Sequence, residues 1–253
     1  MIVGGIDVGA RTTKAVILED NELRAFSILD TGIDMQKASE EALDLALKKA
    51  SLSKTDLQRI IATGIGRTVV PHVSDTISDV TADAKGGFWL FPEARTFIDV
   101  GAEEGRAVRV DSTGKVVDFN KNEKCAAGAG TFAEAMARAL ETATDEIGLL
   151  SLRSTKEVPI NATCVVFAES EVVSLIHEGS LKEDIANAIH EAMVTRVVAM
   201  VKRMEVEKEV AFFGGVAKNV GVVKKLESQL GVNLLVPREP QIVGAIGAAL
   251  LAL

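Results

Sequence analysis

The spacing of apolar residues along the chain predicts two kinds of element. Runs of aliphatic and β-branched residues typical of strands occur at 2–9, 14–20, 58–67, 96–119 and 209–213. Apolar residues at helical spacing predict helices at 34–50, 131–141, 167–179, 183–204, 216–230 and 242–253. Because strands come before helices in both parts of the chain, the pattern predicts an α/β protein with two lobes separated by a cleft.

A repeated motif supports the division into lobes. Ile6–Ala10 and Ile98–Ala102 both read IDVGA, and the similarity continues to Lys14 and Arg106, each followed by Ala-Val. A match of this length with a matched positive charge is not expected by chance, so we predict two related halves. We expect a first lobe at 1–92, a second lobe at 93–241, and a C-terminal helix at 242–253 that packs back on the first lobe.

Composition and charge exclude several classes of partner. The formal net charge is −8 and 47% of the residues are hydrophobic, so nucleic acid and anionic membrane surfaces are not expected as main partners. The longest apolar run, at 242–253, is shorter than the roughly 20 residues of a membrane span. The first residues read directly into a strand and not into a targeting segment, so we expect a cytoplasmic protein.

Each IDVGA motif places an aspartate and a glycine in a tight turn after a strand. Such a turn exposes backbone N–H groups to an anion, and its aspartate can hold magnesium beside a polyphosphate. After the first copy, Arg11, Thr12, Thr13 and Lys14 add cations, hydroxyls and amides. Two such turns, one in each predicted lobe, indicate a single nucleotide held from both sides.

A third glycine motif lies at Phe212–Asn219. A buried strand is predicted to end at Gly214 and Gly215, and a helix to begin at about Val216. A helix start after such a turn suits close approach to an adenosine and its α-phosphate. Alone, the motif would equally fit a turn that serves only packing, and the two aspartate turns favour the nucleotide interpretation.

Together these motifs resemble the actin, hexokinase and sugar-kinase superfamily of ATPases. The resemblance implies a ribonuclease H-like α/β fold with duplicated βββαβα-type lobes and two phosphate-gripping loops. The implied catalytic residues are Asp7, Asp99, Glu103 and Glu104, with Asp7 and Asp99 also facing magnesium. The implied nucleotide contacts are Gly9, Arg11, Thr12, Thr13, Lys14, Gly101, Ala102, Gly214, Gly215, Val216, Lys218, Asn219 and Gln241.

The two cysteines, Cys125 and Cys164, each lie within a few residues of a predicted helix start. A helix N-terminus stabilises the thiolate, which is the metal-binding form of cysteine. Two thiolates cannot complete a four-cysteine site. Two copies of the chain, or one copy and a paralogue, could do so.

The cysteine motifs NEKCAAGAGTF and NATCVVFAESEV resemble those of a single family of iron–sulfur ATPases. The family comprises the activators of 2-hydroxyacyl-CoA dehydratases and the ATPase subunits of benzoyl-CoA reductases. The resemblance implies that Cys125 and Cys164 hold a 4Fe–4S cluster shared with a second ATPase subunit. It also implies that ATP hydrolysis drives an electron to a partner that acts on a CoA thioester, with ferredoxin as the expected donor.

Two positions differ from the pattern of the homodimeric activators. Their second loop usually reads Gly-Gly-Gln-Asp, whereas this chain has Gly-Ala-Glu-Glu at 101–104. An acid at this point could orient or deprotonate the attacking water, or could slow hydrolysis by repulsion. This loop favours a benzoyl-CoA reductase ATPase subunit, with the homodimeric activator as the alternative. The second difference is Asp83, which stands where the family usually has histidine.

Two more distant hypotheses remain open from the residues. A small-molecule kinase of the same superfamily would explain the nucleotide motifs but has no use for paired cysteines at helix starts. A nucleotide-dependent switch or filament protein would explain the lobes but not the cysteines. Iron content separates both from the electron-transfer hypothesis.

Overall fold

The computed structural model describes residues 1–122, 129–161 and 164–253. Its first sheet has the strand order β3-β2-β1-β4-β5. The strands are β1 (Ile2–Val8), β2 (Thr12–Glu19), β3 (Glu22–Asp30), β4 (Arg59–Thr63) and β5 (Asp75–Thr76). β1 runs antiparallel to β2 and parallel to β4, so the sheet is mixed. The helices α1 (Met35–Ala50) and α2 (Asp79–Leu90) follow β3 and β5.

The second sheet repeats the topology of the first. Its strands are β6 (Thr96–Val100), β7 (Gly105–Val110), β8 (Val116–Asn122), β9 (Val210–Phe213) and β10 (Leu234–Leu235). Their order is β10-β9-β6-β7-β8. In both sheets the first strand lies at the centre, with the second and third strands on one side and the fourth and fifth on the other. The duplication predicted from the IDVGA repeat is therefore present in the fold.

The remaining helices follow β8. They are α3 (Gly130–Ala139), α4 (Ile147–Ser151), α5 (Val165–His177), α6 (Lys182–Val201), α7 (Val220–Leu230) and α8 (Val243–Leu250). The predicted helix at 183–204 is α6, whose 20 residues make it the longest of the described helices. No helix in the described ranges is long and apolar enough to cross a membrane.

Alternation along the strands builds two hydrophobic clusters in the first unit. On β2, Ala15 and Ile17 pack with α1, whereas Val16 and Leu18 pack with α8. Because successive side chains of a strand point to opposite faces, the sheet buries both faces, one under each helix. The helix α1 begins at an N-cap, Asp34, whose carboxylate accepts a hydrogen bond from the Lys37 amide at 3.0 Å.

The chain forms two compact units. The first comprises Met1–Phe97, Val108–Asp118 and Pro237–Leu253, and the second comprises Ile98–Ala107 and Phe119–Val236. The first unit thus includes Val108–Asp118, which follows the second IDVGA motif along the sequence. The C-terminal helix α8 belongs to the first unit, where it contacts β1, β2, β4 and α2.

Candidate nucleotide-binding turns

The first aspartate turn connects β1 to β2. Asp7 lies opposite Lys14 in the antiparallel pair, and the Lys14 ammonium donates to Asp7 Oδ2 at 3.0 Å. Both side chains are largely buried, with 17% and 12% of their surface exposed. The turn closes with a hydrogen bond from the Gly9 amide to the Thr12 carbonyl at 3.1 Å. A partly buried ion pair therefore holds the aspartate predicted to face magnesium.

Hydroxyl groups brace the first turn from β2 and from the end of β3. The Thr31 hydroxyl donates to the Gly9 carbonyl at 2.7 Å and lies 2.9 Å from the Thr13 hydroxyl. The Thr31 amide donates to the Arg11 carbonyl at 3.0 Å. Thr13 and Thr31 are both buried. Thr13 is therefore linked to the turn through Thr31, which bonds the Gly9 carbonyl, whereas Arg11 is exposed on the turn. Sequence reasoning missed Thr31, which carries no motif of its own.

A glycine after the neighbouring parallel strand packs on Asp7. Thr63, the last residue of β4, pairs with Asp7, and Gly64 follows with φ of +90°. A Cβ on Gly64 would lie 2.5 Å from Asp7 Oδ1 and would overlap the Val8 carbonyl. Only glycine suits this position, both for its backbone conformation and for the space available.

The second aspartate turn repeats the ion pair with an additional acid. Arg106 lies seven residues after Asp99, as Lys14 does after Asp7. Its guanidinium donates to Asp99 Oδ2 and also to Glu104 Oε1, the latter at 2.8 Å. The Gly101 amide closes the turn by donating to the Glu104 carbonyl at 2.9 Å. Glu104 is half-buried and Glu103 is exposed.

Gly214 occupies the place in the second unit that Gly64 has in the first. It follows β9 with φ of +87°, and a Cβ there would overlap Asp99 Oδ1 and the Val100 carbonyl. The second turn is also held by the start of α3. The amides of Gly130 and Thr131 donate to the carbonyls of Gly101 and Ala102 at 2.9 and 2.8 Å. These two α3 amides are thus already engaged.

The predicted helix start at Val216 was wrong. A 3₁₀ turn spans Gly215–Lys218, and the α-helix α7 begins at Val220. The reason is Asn219, whose side-chain oxygen accepts from the amides of Gly221 and Val222 at 3.0 and 3.2 Å. It is therefore the N-cap of α7.

Burial divides the predicted contacts of this segment. Val216 and Ala217 are buried, whereas Gly215 and Lys218 are exposed. Gly215 and Lys218 are therefore the exposed positions of the 3₁₀ turn. Val216 and Asn219 shape the turn from within.

Two further residues of the first unit were singled out from the sequence. Gln241 is half-buried in a short 3₁₀ turn at Pro240–Ile242, immediately before α8. Asp83 is buried on α2. Asp7 Oδ2 and Asp83 Oδ1 each lie 3.6 Å from the position that a Cβ on Gly244 would take. The structure thus brings Asp83 close to the first aspartate turn.

The cysteine prediction can be followed for one of the two residues. Cys164 is the N-cap of α5, and its thiol is exposed and free. The predicted helix start beside Cys164 is therefore confirmed, whereas Cys125 lies outside the described residues. At a helix N-terminus the backbone amides favour a thiolate. The donor type and its accessibility fit a ligand of an iron–sulfur cluster that is completed by other cysteines.

Magnesium fits the carboxylates in a similar way. Across 1–122, 129–161 and 164–253, no group of three or more His, Cys, Asp and Glu side chains is arranged to hold a metal ion. Magnesium in nucleotide sites commonly uses one or two carboxylates together with phosphate oxygens and waters. The carboxylates of Asp7 and Asp99 are of this donor type.

Comparison with known proteins identifies the family. The model of the BadF/BadG/BcrA/BcrD ATPase family matches residues 5–252. The chain belongs to this ATPase family. It is 41% identical to the activator of lactoyl-CoA dehydratase of Anaerotignum propionicum, over 98% of this chain and 96% of the relative. It is 33% identical to one subunit of the benzoyl-CoA reductase of Thauera aromatica, over 98% of this chain and 92% of the relative.

Solved structures agree with this assignment. Component A of the (R)-2-hydroxyglutaryl-CoA dehydratase of Acidaminococcus fermentans superposes with a TM-score of 0.96 at 36% identity, covering 100% of this chain and 97% of that one. The activator of 2-hydroxyisocaproyl-CoA dehydratase from Clostridium difficile, solved with bound ADPNP, gives 0.95 at 36% identity, covering 100% and 94%. A ROK family glucokinase from Streptomyces griseus gives 0.61 at 13% identity, covering 100% and 99%, which confirms the actin/hexokinase-like fold alone.

These relatives revise one expectation. The second loop favoured a benzoyl-CoA reductase subunit over a dehydratase activator. The activators are more similar across the whole chain, at 41% identity against 33%. The activator alternative is therefore better supported. Four residues of one loop, 101–104, carry less information than 249 aligned positions.

Proposed function

We propose that this chain is an ATP-hydrolysing iron–sulfur protein that activates a 2-hydroxyacyl-CoA dehydratase by delivering a low-potential electron. The observation that carries the proposal is the pair of equivalent aspartate turns, each with a cation seven residues on and a glycine packed on the carboxylate. These turns occur in a chain that aligns over almost its full length with a protein named as a dehydratase activator.

In this proposal each aspartate turn takes part in ATP binding. Lys14 and exposed Arg11 of the first turn would supply positive charge to the phosphates, and the carboxylates of Asp7 and Asp99 would hold magnesium or its waters. Magnesium would neutralise charge that develops on the phosphates during hydrolysis. Glu104 is held by Arg106. We therefore assign the orientation of the attacking water to exposed Glu103.

The cluster in this proposal lies between two ATPase chains. Cys125 and Cys164 of each chain together supply four thiolates, and the 4Fe–4S cluster would supply the transferable electron. Val166 and Phe167, just after Cys164, are 67% and 69% exposed. An apolar surface beside the thiol supports a subunit contact at this point. The second chain is a further copy or a paralogue.

The remaining partners follow from the electron path. A reductant of ferredoxin type would load the cluster, and a dehydratase component that binds the CoA thioester would accept the electron. The net charge of −8 argues against nucleic acid in either role.

Iron content of protein purified without oxygen tests the electron-transfer part. We expect about two irons per chain, half of a four-iron cluster, and loss of the iron in Cys125→Ser and Cys164→Ser. Ser174→Ala, an exposed change on the same helix α5, is the matched control and should keep the iron. Nucleotide binding should persist in all three variants. If the protein hydrolyses ATP but carries no iron, with and without a candidate paralogue, a kinase or nucleotide switch replaces this proposal.

Reconstitution distinguishes the two CoA-thioester partners. Reduced protein with ATP should restore turnover to a purified 2-hydroxyacyl-CoA dehydratase component, and ADP should not replace ATP. If the protein instead supports only a benzoyl-CoA reductase component, the activator assignment is wrong and the reductase assignment is correct.

A further inference from the structure

A buried hydrogen-bond chain in the second unit lies directly behind the 3₁₀ turn at Gly215–Lys218. Asn219, which ends this turn, lies with its side-chain nitrogen 3.1 Å from His190 Nε2. On the other edge of the imidazole ring, His190 Nδ1 lies 2.9 Å from the Ser151 hydroxyl. Ser151 donates to the Gly148 carbonyl at 2.8 Å. The chain joins α4, α6 and the cap of α7.

The direction of every hydrogen bond in this series follows from its two end groups, the Asn219 amide and the Gly148 carbonyl. Because Asn219 Oδ1 accepts from two backbone amides, its Nδ2 must donate to His190 Nε2. His190 Nε2 is then an acceptor, so the ring proton resides on Nδ1 and is donated to Ser151. The Ser151 hydroxyl in turn donates to the Gly148 carbonyl. One neutral tautomer satisfies all four residues.

The side chains of this hydrogen-bond chain are closely packed by two glycines. A Cβ on Gly221 would overlap the Ser151 hydroxyl and lie 2.7 Å from His190 Nδ1. A Cβ on Gly148 would lie 2.5 Å from Asn219 Oδ1. His190 itself is 1% exposed. Burial, with a smaller contribution from the charge of Lys225, lowers the pKa of His190 to about 4, so the ring is neutral at pH 7.

The hydrogen bonds from Gly148 to Asn219 hold one end of the turn on which Gly215 and Lys218 are exposed. At the other end, Gly214 is pressed against the carboxylate of Asp99. Inside the turn, the Asn219 amide donates to the Val216 carbonyl at 2.9 Å. A turn fixed at both ends loses less conformational entropy when a ligand binds than a turn that must first be ordered.

We propose that His190, as its neutral Nδ1–H tautomer, is a positioning residue that fixes the Gly214–Asn219 turn for nucleotide binding by way of Asn219. The inference rests on the proposed role of this turn in holding ATP, and it assigns His190 no contact with the nucleotide. No local motif marks His190, because Ser151 and Asn219 lie 39 and 29 residues from it along the sequence.

Two variants at position 190 test the proposal with purified full-length protein and an ATP analogue. His190→Phe fills the site but cannot accept from Asn219, and we expect the Kd for the analogue to rise about tenfold. His190→Gln offers an amide oxygen to Asn219 and should restore the Kd to within about threefold. The kcat at saturating ATP should change little in either variant, because the phosphate-side residues are untouched.

Controls separate positioning from general destabilisation. Ile189→Val alters a neighbouring buried residue of α6 outside the hydrogen-bond chain and should leave the Kd unchanged. Ser151→Ala removes the hydroxyl that accepts from His190 and should raise the Kd by less than His190→Phe does. This variant provides the test if His190→Phe does not fold. Hydrogen exchange of the Gly221 and Val222 amides should quicken in His190→Phe and not in Ile189→Val.

The outcomes distinguish this inference from the proposed function. Wild-type protein that binds no ATP analogue would overturn both. An analogue bound equally well by wild type, His190→Phe and Ser151→Ala would overturn the positioning role alone. Slower kcat with unchanged Kd in His190→Phe would also overturn it.

Discussion

The two aspartate turns have the same skeleton but opposite flanking charges. In both, a cation seven residues after the aspartate binds its carboxylate, and a glycine after a neighbouring strand packs on it. Arg11 and Thr12 of the first turn correspond to Glu103 and Glu104 of the second. The shared skeleton holds a carboxylate in place, whereas the flanking residues differ in charge. Under the proposed function, Arg11 would attract phosphate and Glu103 would orient water.

The turns are also braced in different ways. Side-chain hydroxyls from Thr13 and Thr31 hold the first turn, whereas backbone amides at the start of α3 hold the second. The second turn is therefore tied to the segment that follows Cys125 in the chain. A duplicated fold can keep one carboxylate geometry while its two copies couple to different surroundings.

The largest expected effect tests the shared skeleton. Asp7→Asn and Asp99→Asn should each lower the ATP hydrolysis rate by about 100-fold or more, because an amide lacks the charge that binds the paired cation and that, under the proposed function, would hold magnesium. Phosphate release in the steady state measures this. Asp44→Asn, at an exposed carboxylate of α1, is the matched control and should retain the wild-type rate. A normal rate in either turn variant would remove that turn from the proposed site.

The glycine contacts give the next largest effect. Gly64→Ala and Gly214→Ala should each reduce the free energy of unfolding by more than the roughly 1–2 kcal/mol of a left-handed non-glycine backbone, since each Cβ would also meet an aspartate. Gly179→Ala, with φ of +81° and open space around it, should show the backbone cost alone. Urea unfolding compares the three. Equal losses would mean that the aspartates are not packed under these glycines.

A pH effect should be confined to the second unit. His190 has a folded-state pKa of about 4 against an ordinary 6.5, so the unfolded chain gains a proton first as pH falls. The contribution of neutral His190 to the free energy of unfolding is fully present above pH 6.5 and declines toward pH 4. At pH 5 the free energy of unfolding should be lower by about 2 kcal/mol.

Comparing the two units measures this effect. Between pH 7 and pH 5, hydrogen-exchange protection of the Gly221 amide should fall more than that of the Gly66 amide, which donates to the Val8 carbonyl in the first unit. In His190→Phe this difference should disappear. Protection that falls equally in both units of the wild type would contradict a histidine-specific effect.

The smallest expected effects separate the two flanking charges. Arg11→Gln should raise the KM for ATP about fivefold with little change in kcat, because the interaction of one exposed charge with the phosphates is weak. Glu103→Gln should leave the KM unchanged and alter kcat by less than about tenfold, since an amide can still orient water. Initial-rate kinetics over a range of ATP concentrations resolve both constants. A KM effect of Glu103→Gln, or no effect on kcat, would contradict the water-orienting role.

Several features of the fold could be predicted because they depend on local patterns. The IDVGA repeat predicted the duplicated sheets, helical spacing predicted α1, α3, α5 and α6, and Cys164 was expected beside a helix start. The start of α7 was misplaced because Asn219 looked like one more residue of a glycine-rich motif. Its role as a cap depends on the 3₁₀ turn before it. The strand β3 and the helix α2 were not predicted as elements.

The sequence by itself determined the chemistry available to this protein: two aspartate turns, their flanking charges and two cysteines. These features depend only on residue type and on short spacing along the sequence, so they can be identified without the tertiary structure. The tertiary structure alone decided which groups meet. Gly64 contacts Asp7, Gly214 contacts Asp99, and His190 connects Ser151 to Asn219 across 39 and 29 residues of chain. Such contacts arise from strand order and helix packing, which bring distant residues together and leave no periodic trace in the chain.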